Sequence, residues 1–354
     1  MTTTTCKQPL PDVQSSIDTR RIAIDRVGVR GLTVPMTVKS VDGAQPTVAK
    51  ASMYVSLPAE HKGTHMSRFV ALIYENKEPL SEPMMRNLLA RMLELLEAEN
   101  GYIEISAPFF VMKASPVSGL KSLMNYEIRY IAEKKDGVTK VLQEIKAPVT
   151  SLCPCSREIS DYGAHNQRSI LTVSLELASD MSLEDQIRIA ETSASCELWS
   201  RLKRSDEKYV TEFAYDHPKF VEDIVRDMAG QLNADSRVVS YHVTAENFES
   251  IHNHSAYAEI SATNAASEAF AHGPPASFKI TGAAEKRSRL SVSGLPRRKA
   301  AFSFPVKFVY RSRGRLYVLL CDCLILFRNS RCRRPKKALC AGLKLGPYPD
   351  FRHD

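Results

Sequence analysis

The sequence predicts an α+β fold in which antiparallel strands carry helices on one face. Three observations point there. Several stretches alternate apolar and polar residues with a period of two, two others repeat at helical spacing, and the order strand–strand–helix–strand–strand runs twice through the first 260 or so residues.

The elements follow in order. Residues 1–30 read as a loose N-terminal arm. Ala51 to Leu57 alternates as a half-buried strand, and Ser67 to Tyr74 reads as a second strand. Ser81 can cap a helix with Pro83 near its start, and Met85, Leu88, Leu89, Met92, Leu95 and Leu96 form its apolar face. Strands are expected around Ile103 and Ile105, and over Tyr126 to Tyr130. The second round starts with strands at Val141–Thr150 and Leu171–Leu177. Ser182 and Asp185 then resemble a capping box, with Ile187, Ala190, Ala194, Leu198 and Leu202 stepping behind them. A helix after His217-Pro218 buries Val221, Ile224, Val225, Met228 and Leu232. Strands around Val239–Val243 and Ala256–Ile260 close the pattern.

Composition bounds the function. The chain has 354 residues, 44% of them hydrophobic, and its longest apolar run, Leu316 to Phe327, holds Asp322. That run is too short for a membrane span, and Met1 to Ser16 lacks an apolar signal core, so a cytoplasmic protein without membrane partners is expected. The eight cysteines are then free thiols or metal ligands in preference to disulfides. The net charge of +8 is uneven: from Gly273 onward there are 19 Lys and Arg against 4 Asp and Glu, whereas the preceding part holds 29 against 36. Residues 263–354 also change in style, with an Ala/Ser/Pro-rich start and basic clusters between short apolar bursts. They read as a basic, disordered tail, or as the product of a non-native reading frame.

Four stretches can carry chemistry. Ser151 to Arg168 joins two strands and holds Cys153, Cys155 and His165, a thiolate and imidazole set suited to zinc or an ion of similar softness. A Cys-x-Cys pair alone is as readily two plain thiols. The lack of four local ligands suits an open catalytic site more than a closed structural one. Glu246 to Ser255 places His252 and His254 on the same side of an extended chain, as ligands, as acid and base, or as a polar loop. Lys203 to Glu212 reads on its own as a solvated helix end, from which Glu207 could complete a metal site. Lys62 to Phe69 sets Lys62, His65 and Arg68 around a glycine and two hydroxyls; it suits a triphosphate but is no Walker loop, and otherwise is a basic turn.

Taken together, Lys62-Gly63-Thr64-His65-Met66-Ser67-Arg68-Phe69, Ser151 to Ser156, Tyr162 to Arg168, Asp206 to Glu212 and Glu249 to Ser255 closely resemble the signature blocks of the bacterial type IB GTP cyclohydrolases. Pro11-Asp12-Val13-Gln14 is similar to their N-terminus, and the resemblance covers about residues 11–261. It implies a tunnelling fold of two ββααββ modules, here 31–138 and 139–262, followed by a tail foreign to the family. It also implies a homotetramer with active sites at subunit interfaces. Position by position, Cys153, His165, Glu207 and His252 would hold one divalent metal (zinc, manganese or iron), and Glu222 would anchor guanine. Cys153, His165 and His254 would be catalytic, and Lys62, His65, Arg68 and Arg168 would bind substrate. Lys203, Arg204 and Lys208 join that pool of triphosphate cations. GTP and water would give formate and 7,8-dihydroneopterin triphosphate, the first step of folate biosynthesis. The alternatives are another purine or pterin enzyme of this superfamily, such as a nitrile reductase with a nucleophilic cysteine, and, ranked last, a nucleic-acid-binding protein acting through the basic tail. Cys155 has no assigned role.

Overall fold

The computed structural model describes residues 12–264, 302–312 and 315–325. Contacts divide the chain into two units, Met1–Phe278 and Lys279–Asp354.

In the first unit the order is β1 (Ile24–Ser40), β2 (Gly43–Leu57), α1 (Met66–Glu75), α2 (Glu82–Leu95), β3 (Gly101–Ala114) and β4 (Lys121–Lys135). A second round follows with β5 (Val138–Leu152), α3 (Pro154–Ile159), β6 (Asn166–Leu177), α4 (Leu183–Ser193), α5 (Arg204–Asp216), α6 (Val221–Asn233), β7 (Val238–Asn247) and β8 (Ala256–Thr263). All eight strands form one sheet in sequence order, each antiparallel to the next. The sheet is unbroken across the join of the two ββααββ rounds, where β4 pairs with β5 from Lys135↔Val138 onward. Two modules of this topology are what the tunnelling-fold resemblance implied.

Strand alternation sets the layers. In β3, Ile103, Ile105 and Phe109 are fully buried, while Tyr102, Glu104 and Ser106 between them stay half-exposed. The buried set meets the apolar stripes of α2 (Met84, Met85, Leu88, Leu89, Met92), and α4 and α6 cover the second half in the same way. The core therefore lies between the helices and one sheet face.

Three expectations need correcting. Ser67 to Tyr74 is helix and not strand: Phe69, Leu72 and Ile73 are buried at i, i+3 and i+4 spacing, and helical packing overrides the local β preference of an apolar run. The loose arm ends earlier than residue 30. Ile24 already belongs to β1, and Asp12–Asp18 is pinned to the residues after β2 by Asp18 N–H to Glu60 O, Lys62 N–H to Ser16 O and Gly63 N–H to Gln14 O. Finally, α4 stops at Ser193, so Leu198 and Leu202 are not on it. The chain there turns extended, Cys196 forms a bridge with Thr150 at the edge of β5, and the Ser195 hydroxyl accepts from Leu152 N–H. At the other end of α4 the Ser182 hydroxyl accepts the Asp185 N–H, but the Asp185 carboxylate binds Arg188 and Arg237, so only half of a capping box forms.

Sequence patterning hides α5, which buries only Asp206 and Ala214. Asp206 holds its N-terminal turn. Its carboxylate accepts from Val117 N–H, Ser118 N–H, the Ser118 hydroxyl and Lys203 N–H, tying α5 to the β3–β4 turn. Burial alone would raise the pKa of this carboxyl; the hydrogen bonds from Ser118, Lys203 and Val117 outweigh that and hold it well below the usual carboxylate range.

The segment read as a disordered tail contains, among its described residues, one antiparallel hairpin, β9 (Phe302–Ser312) with β10 (Arg315–Ile325). The rest of 265–354 lies outside the described residues. Among the described residues no helix is long and apolar enough to cross a membrane.

The described part of the first unit runs two residues beyond 262. Asn264 is buried; its side chain donates towards the Leu232, Asn233 and Asp235 carbonyls at 3.3–3.4 Å, and its N–H donates to Val239 O at 2.7 Å. A chain stopped after residue 262 is expected to be less stable than one stopped after 265 by about 1–2 kcal/mol, from loss of the Asn264 hydrogen bonds. Denaturant melts of the two truncations check it.

Candidate active site

Cys153 sits where β5 ends and α3 begins, with Pro154 at the first helical position. It is the N-cap: its Sγ accepts from Ser156 N–H at 3.5 Å, and the Ser156 hydroxyl donates to its carbonyl at 3.2 Å. The same hydroxyl accepts from His165 N–H, and Cys153 N–H donates to His165 O, each at 3.2 Å. The two ends of the loop are thereby fastened together, so the thiol and the imidazole share one small platform at the top of β5 and β6.

A chain of buried side chains fixes the imidazole. Gln167 Nε2 donates to Ser151 Oγ at 2.8 Å, Ser151 Oγ lies 2.8 Å from Ser169 Oγ, and Ser169 Oγ donates to Asn247 Oδ1 at 2.7 Å. With its amide nitrogen so committed, Gln167 turns Oε1 to His165 Nδ1 at 3.0 Å. An acceptor at Nδ1 puts the proton there and leaves the lone pair on Nε2, the tautomer that a metal ligand requires. Glu249 Oε2 lies 4.0 Å and Ser250 Oγ 3.5 Å from the same nitrogen. Neither Gln167 nor Glu249 stands out in the sequence, because their roles appear only when β6 pairs with β5 and β7. Gln167→Ala is expected to weaken metal binding by roughly 10–100-fold, the usual cost of losing a partner that orients a ligand. Competition with a chromogenic chelator measures it.

The other predicted residues are placed as follows. His252 and His254 are exposed on the β7–β8 loop, their rings stacked 5.1 Å apart at 10°, and His254 Nδ1 lies 3.2 Å from Ser255 O. Cys155 is exposed on α3, Arg168 is exposed on β6, and Glu222 is exposed in the first turn of α6. Glu207 is exposed in the first turn of α5, beside the buried Asp206. Among the described residues, no three His, Cys, Asp or Glu side chains converge on one point where a metal could sit. Cys153 and His165 carry donor types that suit a divalent ion; among the described residues the four-residue set is not assembled within one chain.

The cation block stands further off. Lys62, His65 and Arg68 follow β2, whose Val55 pairs with Gly101 at the start of β3, whereas Cys153 follows the far end of β5. A 15-residue strand such as β5 spans roughly 45 Å, so the block and the thiol lie at opposite ends of the sheet. There His65 Nε2 is 3.3 Å from Asp12 Oδ2, and the Arg68 guanidinium donates to Leu95 O at the end of α2.

Comparison with known proteins assigns the family. A family model described as type I GTP cyclohydrolase FolE2 matches residues 10–258. The GTP cyclohydrolase FolE2 of Paraburkholderia phymatum is 60% identical over 252 residues, covering 71% of this chain and 94% of that protein. FolE2 2 of Cupriavidus metallidurans is 59% identical over 251 residues, with the same two coverages. Among solved structures, a uricase from Bacillus fastidious aligns with a TM-score of 0.44 and 10% identity over 74% of this chain and 98% of its own. The uricase of Arthrobacter globiformis aligns at 0.41 and 7%, over 72% and 96%. The family is thus described at the level of type I and FolE2, where the signature blocks had suggested the narrower type IB label. This chain belongs to the type I GTP cyclohydrolase FolE2 family.

Proposed function

We propose that the protein is a hydrolase that opens the guanine ring of GTP at C8, consuming water and releasing formate to give 7,8-dihydroneopterin triphosphate, the first step of folate biosynthesis. The observation that carries the reading is the Cys153–His165 platform, with His165 Nε2 free to bind, in a chain of this family. Zinc, manganese or iron would suit a thiolate, imidazole and carboxylate donor set. A bound divalent ion would supply acidity to the water that attacks C8.

The chain's own groups have separate tasks. Glu222, exposed at the start of α6, accepts from the N1–H and 2-amino group of guanine, a two-donor edge that adenine lacks. His254 is exposed on the loop that carries Glu249 and can move protons to and from the ring nitrogens as the ring opens. Arg168 and the Lys203, Arg204 and Lys208 group on and before α5 face solvent at the Cys153 end and supply charge for the triphosphate.

A homotetramer accords with the surface around the platform. Ile159, Tyr162, Phe248 and Ile251, on or beside the loops at that end, are 82%, 101%, 45% and 64% exposed, apolar side chains that a partner chain would cover. Among the described residues, β1 and β8 each have a strand neighbour on one side only. A cytosolic location belongs to the same reading.

The test compares GTP with ATP. A preference for GTP of about a thousandfold or more in kcat/KM is expected, because a carboxylate set to pair a two-donor edge is left unmatched when that edge is missing. Comparable turnover of ATP would contradict the assignment of Glu222 and the guanine specificity together.

A further inference from the structure

Cys153 and Glu222 stand on different elements, and one lysine ties those elements together. Cys153 follows Leu152, the last residue of β5, and Glu222 follows Lys219 by three positions, in the first turn of α6. Leu152 O accepts the Lys219 N–H at 3.0 Å, and Leu152 N–H donates to the Ser195 hydroxyl at 3.1 Å. Just before it, Thr150 N–H donates to Cys196 O at 2.9 Å and Cys196 N–H to Thr150 O at 3.2 Å. The end of β5 is thus bonded both to the segment after α4 and to the segment before α6. The Lys219 side chain closes the triangle: its Nζ donates to Ser193 O at 3.0 Å and to Asp227 Oδ2 at 2.7 Å. Ser193 is the last residue of α4, where the helix leaves its carbonyls without intrahelical partners and its dipole favours a cation. Asp227 lies in the second turn of α6. The stretch between Lys219 and Glu222 has little slack, because Phe220 N–H donates to Asp223 Oδ2 at 3.1 Å and Val221 is buried.

Stability does not account for this arrangement. The Asp227 side chain is half exposed, and an ion pair of that kind contributes little to folding. Direction is what the ammonium fixes: it sets how the start of α6 lies against the end of β5. Guanine makes that direction matter. It is a rigid bicycle, and a carboxylate that accepts from N1–H and the 2-amino group holds the six-membered ring, with C8 at the far end of the five-membered one. Where C8 falls is then set by the placement of Glu222 relative to Cys153. We infer that Lys219 is a positioning residue of the reaction, which holds the guanine anchor and the Cys153 platform of one chain at the span that brings C8 to the metal site. The inference rests on the reading of Glu222 as anchor and Cys153 as ligand, and goes beyond it by naming the residue that sets the distance between them.

The test is a double-mutant cycle in the full-length protein, with kcat and KM read from formate release and metal per chain from elemental analysis. Lys219→Met is expected to lower kcat about 100-fold, the scale of a misplacement near 1 Å, with KM within about threefold and metal content unchanged. Lys219→Arg keeps a cation for Ser193 O and Asp227 and should recover most of the loss. In a Glu222→Ala background, Lys219→Met should lower kcat/KM by no more than about twofold, since a residue that acts through Glu222 has nothing left to place. Lys219→Gln carries the same cycle should the methionine variant not fold. An unchanged kcat in Lys219→Met overturns the inference. So does an equal loss with and without Glu222, or a loss of metal, each of which makes Lys219 a brace of the fold or the platform alone. Wild-type kinetics in Glu222→Ala by itself is a failure of the underlying reading, and is seen before Lys219 is changed.

Discussion

Cys153→Ala is expected to lose both bound metal and turnover while the fold persists. On the proposed reading the thiol is a metal ligand on the platform it shares with His165, and even partners that only orient ligands are worth roughly 10–100-fold in affinity; loss of a ligand should exceed about 100-fold. Without the ion the reaction forfeits several kcal/mol of transition-state stabilisation, roughly three orders of magnitude in rate. The structural cost is modest. Cys153 is half-buried, its one side-chain bond is the long 3.5 Å contact to Ser156 N–H, and the Ser156 hydroxyl still ties Cys153 O to His165 N–H. An unaltered circular dichroism spectrum with metal content near zero is the anticipated result. Cys155→Ala, on the exposed side of α3, should keep its metal.

The second large effect is expected at Glu222. Glu222→Ala removes the acceptor for two guanine donors, and Glu222→Gln turns an amide donor towards them. Each should lower kcat/KM for GTP by roughly three to four orders of magnitude, as mispairing a site built for hydrogen bonds does. Metal content should not change, because Glu222 lies on α6 and Cys153 and His165 lie on the β5–β6 connection. Side-by-side measurements of nucleotide binding and metal content separate the two roles. An exposed residue in the first turn of a helix costs little stability when replaced, so the defect should be confined to substrate.

Legibility in the sequence followed the physics of each element. Strands β3 to β7 were readable because one face packs on helices and the other meets solvent, which forces alternation such as Ile103-Glu104-Ile105. Helices α2 and α6 were readable from their apolar stripes. Helix α1 was not: Phe69, Val70, Leu72 and Ile73 make an apolar run that suits either period, and only the packing of Phe69, Leu72 and Ile73 decides it. Helix α5 lacked a stripe altogether, because it is held by Asp206 and not by apolar burial. In the site, Cys153 and His165 were visible as residue types on one loop. Gln167 and Glu249, which reach His165 Nδ1, depend on strand register and had no local signature. The separation of Lys62–Arg68 from Cys153 is likewise a property of the fold, since spacing along a chain does not say which end of a sheet a residue reaches.

The most direct test of the catalytic account is product analysis with the intact protein. Purified full-length chain, loaded in turn with zinc, manganese or iron, is given GTP while formate and pterin fluorescence are followed. Formate and a fluorescent pterin rising in equal amounts with at least one of these metals is the predicted result; no formate with any of them would contradict it.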